Sequence, residues 1–309
     1  MYAYRSSHLT MSILSFIKEQ FGHPARLVTL LSERSYAQRA SLSSSESIDA
    51  EEIPQWHRFG HPDLNDWNAG APERIMGWRQ SGGYYESFTA LVPGLQEIGT
   101  VEVFDGWECD ISQVEGLGAS KSPLSDYRDM DRFIEARSPE LVREISHDQL
   151  RKNLAHREIR ILHGRPTSDH FAHYAWDGRI WLKNTGGSHH FAAARYIAKR
   201  LDVRVPLMGR LRKYGINPSA VHELVEHFEV FVVPDDAEFS VAFSDAMRYA
   251  GITWLWAPMP RPCQSERAIF LPRTERRSRK AAELLREAGM PDLGAHLIGV
   301  ARYPRTLST

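Results

Sequence analysis

The hydrophobic period changes at Gly186 and Gly187, and this change limits what the chain can fold into. Upstream, Ile180, Trp181 and Leu182 are β-prone residues that follow an Asp-Gly turn at Asp177 and Gly178, a pattern that predicts a strand. Downstream, Phe191 to Leu201 (FAAARYIAKRL) is rich in Ala, Arg, Lys and Leu, which predicts a helix. N–H groups at a helix start, together with the positive end of the helix dipole, attract anions, and glycines let an anion approach the main chain. The same pair also suits a tight structural connection with Ser188 as N-cap. The neighbouring residues favour a phosphate: Lys183 precedes the turn, Ser188, His189 and His190 lie in it, and Arg195 follows one turn into the helix.

Bulk properties narrow the classes. A chain of 309 residues with 42% hydrophobic and 25% charged residues can bury a full core, in one large or two modest domains. Its formal net charge of -1 gives no global reason to bind nucleic acid. The two cysteines, Cys109 and Cys263, are far apart, so neither a disulfide framework nor a cysteine zinc site is expected, and a reducing cytoplasm is the default compartment. No apolar run reaches the ~18 residues of a membrane span, and no secretion leader is evident. Met11 opens a better helix (MSILSFIKEQF) than Met1 does, so the first ten residues read as an extension or a misplaced start.

Along the chain, helical spacing over Ser12 to Leu31 is followed by a polar, serine-rich stretch, Ser41 to Glu52, expected to be an exposed loop. The block Trp56 to Cys109 concentrates aromatics, including Trp67, and its alternation in YYESFTALV and TVEVFDGW predicts strands. DYRDMDRFIEAR and PELVREI read as helical. From there the order is a helix (HDQLRKNL), two strands (REIRILHG and RIWLKN), the glycine turn, a helix, and a strand (FEVFVVP). ITWLWAPM, AIFLP and a helix from Glu275 to Ala288 capped by Gly289 complete the chain. The expected class is α+β, divided into an N-terminal helical and aromatic-rich region 1–137, a core 138–235 and a C-terminal extension 236–309.

GGSHHFAAARYIA resembles the GGCHR-plus-helix motif of sulfiredoxins and the G-x-H-R or G-E-R-R motif of ParB N-terminal domains. ISHDQLRKN, DGRIWLKN and RLDVRVPLMG are similar to the flanking elements of that superfamily, in the same order, over about 90 of the 309 residues. The resemblance implies a ParB/sulfiredoxin-like mixed-sheet core with N- and C-terminal extensions. It also implies ATP or a related nucleotide, with Mg, whose phosphates sit on Gly186, Gly187, Ser188, His189 and His190. The sulfiredoxin cysteine maps onto Ser188, which excludes thiolate chemistry there, and the motif arginine maps onto His190, whose charge depends on pH. No E-N-x-x-R box follows, so a chromosome-partition clamp is not expected.

Other patterns carry weaker chemistry. Seven of the fourteen histidines fall between His147 and His190, and His170 and His173 beside Asp169 invite a metal reading, although the spacing fits no fixed signature. HELVEH fails as a zinc motif because histidines five apart on a helix diverge by about 140°. Asp148 and Asp169 are the candidate carboxylates for a general base, with Asp169 also for a metal, while Lys183 with His189 or His190 would neutralise developing charge. From Arg261 to Arg305 there are ten Lys or Arg against five Asp or Glu, and Arg276, Arg277 and Arg279 could contact nucleic acid. The expected function is Mg-ATP-dependent phosphoryl transfer or nucleotide-dependent cleavage acting on a small-molecule or protein substrate. The alternative is a nucleotide-switched regulatory or DNA-binding protein.

Overall fold

The computed structural model describes residues 24–32, 42, 45–61, 74–164 and 166–307. The chain is α+β, with two five-stranded sheets. The first sheet runs β3 (Gly99–Asp110), β7 (Pro206–Ile216), β5 (His170–Tyr174), β6 (Ile180–Lys183), β4 (Val114–Leu117) and is mixed: β5 lies parallel to β7, and β6 parallel to β4. The second is antiparallel throughout, in the order β2 (Tyr84–Leu91), β1 (Arg74–Ser81), β9 (Trp254–Pro258), β10 (Glu266–Pro272), β8 (Phe228–Pro234). Gly82 and Gly83, both left-handed, make the two-residue turn between β1 and β2.

Strand alternation assigns the cores. In β10, Ala268 and Phe270 join Val230 and Val232 of β8 and Tyr174, Trp181 and Tyr214 of the first sheet in one shared core. This core also takes α6 (Pro218–His227) through Leu224 and α9 (Leu293–Arg302) through Leu297. The intervening residues Ile269, Leu271, Phe231 and Val233 face away, against α1 (Ala25–Leu31), α7 (Ala237–Tyr249) and α8 (Arg276–Glu287). Runs such as IFL and FVV are apolar throughout because both of their faces are covered. On the far side of the first sheet, Phe171, Ile180, Leu182 and Leu211 meet α2 (Met130–Arg137), α3 (His147–Leu154) and α5 (Ser188–Leu201). Ala192, Ala193 and Ala194 bring α5 close to that sheet.

Several expectations change. The first sheet crosses the division at 137/138, where β3 pairs with β7 and β4 with β6, and the second crosses the division at 235/236, where β8 pairs with β10. REIRILHG is no strand: Arg160–His163 forms one helical turn, α4, whose Gly164 N–H closes on the Arg160 carbonyl. The strand position is taken by HFAHY, a central strand covered on both faces, in which two histidines interrupt the apolar run. The polar stretch to Glu52 packs where it is described: Ile48 is fully buried, and its carbonyl accepts from Leu117 N–H. The helix expected from Met11, together with Trp67, lies outside the described residues. Among those residues no helix is long and apolar enough to cross a membrane.

His57 stacks on Tyr214, ring centroids 4.1 Å apart, and its Nδ1 is buried without a partner among the described residues. Burial, reinforced by Arg58, pushes its pKa from 6.5 to about 4. The unfolded chain takes up a proton that folded His57 refuses, so this contribution is complete above the ordinary value and is lost as pH falls toward the depressed one. Burial also lowers His173 and His296, which act in the same direction. The thermal midpoint should therefore drop on acidification below neutrality, and less steeply in His57→Phe. An unchanged slope in thermal scans of that variant would contradict the assignment.

Candidate functional site

The glycine turn is built by a close approach of two backbones. Gly187 is left-handed, with φ of 71°, and a Cβ there would lie 2.7 Å from the carbonyl of Glu158. Only glycine satisfies both conditions. Gly186 is not constrained in this way: a Cβ would meet Glu158 at 3.5 Å, an ordinary contact. Gly187 is the N-cap of α5 and supplies no side-chain acceptor. Ser188 is the first helical residue and hydrogen-bonds Ser120 Oγ at 3.0 Å instead of capping. The N–H groups of Ser188, His189 and His190 find no acceptor among the described residues.

Ser188, His189 and His190 line a cavity of about 550 Å³. Besides the turn, its walls are the loop bearing Ser120 and Lys121, the segment of Ser138 and Glu140, and the segment of Glu158 and Arg160. Buried Asn184 fastens the first loop to the turn. Its Oδ1 accepts from Gly118 N–H at 3.0 Å and Ala119 N–H at 3.2 Å, and its Nδ2 donates to the carbonyls of Ala119 and Gly186. Arg160 reaches the turn through the Thr185 hydroxyl.

Both histidines of the motif are held by neighbours. His189 lies between Ser138 Oγ, 2.7 Å from Nδ1, and Ser122 Oγ, 3.2 Å from Nε2, with Phe133 edge-on. His190 hydrogen-bonds Asn153 through Nδ1 and stacks on His156, centroids 3.8 Å apart. Burial lowers the pKa of both, and for His190 the neighbouring His156 adds to the effect. At neutral pH they are uncharged, so cationic character at the cavity comes from Lys121 and Arg160.

The structure gathers Gly186, Gly187, Ser188, His189 and His190 on the cavity wall and separates the other candidates from it. Lys183 points to the far side of its strand and pairs with Glu51. Arg195 binds the Val114 carbonyl and Asp131, tying α5 to α2. Asp148 is exposed and pairs with Arg151 one helical turn away. Asp169 is buried beneath the turn, where Oδ1 accepts from Thr185 N–H at 2.9 Å and from its hydroxyl at 2.6 Å, so it braces the turn and does not line the cavity. His170 and His173 point to opposite faces of β5, and among the described residues no three metal-ligating side chains converge. HELVEH is a solvated helix face on which His222 pairs with Glu226. Cys109 and Cys263 are buried thiols, pushed up to about 12 and about 11 by desolvation. Lys121, Arg160 and Asn184 were not singled out from sequence. The small, polar run GASKS at 118–122, directly after a strand, was the available signal.

A family model described as a family of unknown function (DUF6685) matches residues 104–306. The match takes in every residue of the cavity and leaves the β1–β2 hairpin outside. Neither a curated protein nor a solved structure matches the chain.

Two carboxylates of similar promise in the sequence should differ sharply on removal. Asp169→Ala strips buried acceptors from Thr185 and should cost roughly 2–4 kcal/mol of unfolding free energy. Asp148→Ala removes an exposed pair and should stay within about 0.5 kcal/mol of the parent. Denaturant unfolding of both variants checks the contrast, and equal losses would overturn it.

Proposed function

The chain belongs to the family of unknown function DUF6685, and we propose from its own residues that it is a cytoplasmic nucleotide-binding enzyme. In this reading the phosphates of ATP or a related nucleotide lie against the turn at Gly187 and the start of α5. One observation carries it: Ser188, His189 and His190, the uncapped start of α5, line a cavity that Lys121 and Arg160 also line. Aligned amides and the helix dipole supply fixed positive potential, and the two side chains supply mobile charge. Lys121 and Arg160 take the roles that sequence assigned to Lys183 and Arg195. Glu140 and Glu158 are the carboxylates of the wall, so a Mg ion accompanying the phosphates would draw its protein ligands from them. The ParB/sulfiredoxin-like core fits the order of β6, turn, α5 and β7, and with it phosphoryl transfer or nucleotide-dependent cleavage of a small-molecule or protein substrate.

A thermal-shift panel of nucleotides with and without Mg tests this reading, since a ligand bound only by the folded state raises stability by about 2.7 kcal/mol at a hundredfold excess over Kd. The midpoint should rise with a triphosphate, and the rise should vanish in Gly187→Val. Lys121→Ala leaves the backbone intact and should weaken the shift, whereas Lys183→Ala should retain it. No shift with any nucleotide at millimolar concentration would sink the proposal.

A second reading is favoured by α8, whose first turns carry exposed Arg276, Arg277 and Arg279 with no acidic residue in the first turn. Cations at a helix start oppose the helix dipole, and a phosphate backbone would relieve that opposition. In that case affinity for DNA should fall steeply with salt, and neutralising the three arginines should flatten the dependence. Equal DNA retention by the triple variant would remove this reading.

A further inference from the structure

Ser122, His189 and Ser138 form a hydrogen-bonded line at the cavity whose proton positions can be worked out. A hydroxyl carries one proton. Ser138 Oγ lies 2.8 Å from the Arg137 carbonyl oxygen, which can only accept, so the Ser138 proton is directed there. Toward His189 Nδ1, at 2.7 Å, Ser138 must therefore accept, and Nδ1 carries the ring hydrogen. This leaves the Nε2 lone pair facing Ser122 Oγ at 3.2 Å, where Ser122 is the donor. Phe133, packed edge-on against the imidazole with centroids 5.0 Å apart, restricts its rotation. His189 and Ser138 belong to the cavity wall, and Ser122 follows Lys121 in the loop that forms it.

A hydroxyl donating to an imidazole whose other nitrogen is oriented by a third group is the arrangement of an activated serine nucleophile. We propose that Ser122 is the nucleophile of this site, with His189 as its general base and Ser138 as the residue that positions His189. The reacting group is a phosphoryl ester, and only that choice of substrate class rests on the phosphate reading of the cavity. Ser122 Oγ attacks phosphorus, and the Oγ–P bond forms as the P–O bond to the leaving group breaks. The Oγ proton passes to His189 Nε2. The bonding pair departs with the leaving oxygen, which then takes that proton from His189. The N–H groups at the start of α5 and the Lys121 ammonium lie on the same wall to meet the charge that develops on the phosphoryl oxygens.

The base must be neutral to act. Burial holds His189 below its ordinary pKa, Lys121 and Arg137 reinforce this, and Glu140 opposes it. The adjacent His190 is likewise held low. The reactive form is therefore already populated at neutral pH, and reactivity should stay level there and fall only in acid.

A fluorophosphonate, an electrophilic phosphoryl probe without a nucleotide, tests the nucleophile separately from nucleotide binding. Labelling the full chain and mapping the adduct by mass spectrometry should place it on Ser122, with none in Ser122→Ala. His189→Gln should slow labelling by on the order of 100-fold, the usual contribution of a general base. Ser138→Ala leaves Ser122 and the His189 imidazole in the chain and should slow labelling and alter its pH profile in protein that circular dichroism shows to be folded at the assay temperature. No adduct on Ser122 in the parent protein would overturn the proposal whether or not the variants fold, and so would an undiminished rate in folded His189→Gln. A nucleotide shift without labelling would refute the nucleophile alone, and labelling without a shift would refute the nucleotide alone.

Discussion

Asn184 is the interaction on which the cavity depends. Buried between two loops, it engages two main-chain N–H groups and two carbonyls, which uses all the donor capacity of its amide and both acceptor sites of its oxygen. A fully satisfied buried amide is directional in a way that apolar packing is not. It sets the loop at 118–122 and the glycine turn at one separation, so that Lys121 and the start of α5 face a common space. Gly187 locks the other side by letting the backbone at Glu158 approach to a distance no side chain tolerates. At the other end of β6, Asp177 accepts from Arg179 and from Trp181 Nε1, and Arg179 donates onward to the Ser45 and Ser47 carbonyls. Polar groups thus fasten both ends of β6, Asn184 at the turn and Asp177 with Arg179 at the loop of Ser45 and Ser47.

The electrostatics of the cavity differ from those of a cluster of guanidinium groups. Burial holds His189 and His190 below the ordinary imidazole value, and the cations Lys121 and Arg160 are balanced in number by Glu140 and Glu158. In the proposed nucleotide reading, attraction for an anion would fall chiefly to oriented amides, whose potential is short-ranged and tied to position. Such a site discriminates by shape and by where charge is placed more than by net charge, in keeping with a chain whose formal net charge is -1.

The strand, turn and helix around Gly187 were legible because each is a local matter: β-prone residues, a glycine pair and an alanine-rich segment each specify their own conformation. The continuous apolar run FVV was legible as a strand and IFL only as an apolar segment, and their membership of one second sheet was not legible, because pairing over long sequence separations leaves no local periodicity. HFAHY was missed since its two histidines interrupt an apolar run, and REIRILHG was misread since buried Ile159 and Ile161, at the cap and inside a single helical turn, imitate a strand. At the site, the turn residues were readable and the partners were not. Lys183 and Lys121 look alike in sequence, and only the face of β6 on which Lys183 projects sends it to Glu51 and away from the cavity. Asp169 was recognisable as unusual, and its buried bond to Thr185 shows that bracing the turn is what it does.

The second sheet has a consequence for how the protein is made. Its β1–β2 hairpin is synthesised well before its other neighbour in the sheet among the described residues, β9, which begins at Trp254. A nascent chain must therefore carry that hairpin with one long edge unpaired until most of the sequence has left the ribosome, a period in which edge-to-edge association competes with folding. Ser81, Gly82 and Gly83, in a tight turn that closes locally, allow the hairpin to form at once and wait. Completion of the sheet is then a late, cooperative event, and shortening the chain from its C-terminal end would strand the earliest strands without a partner.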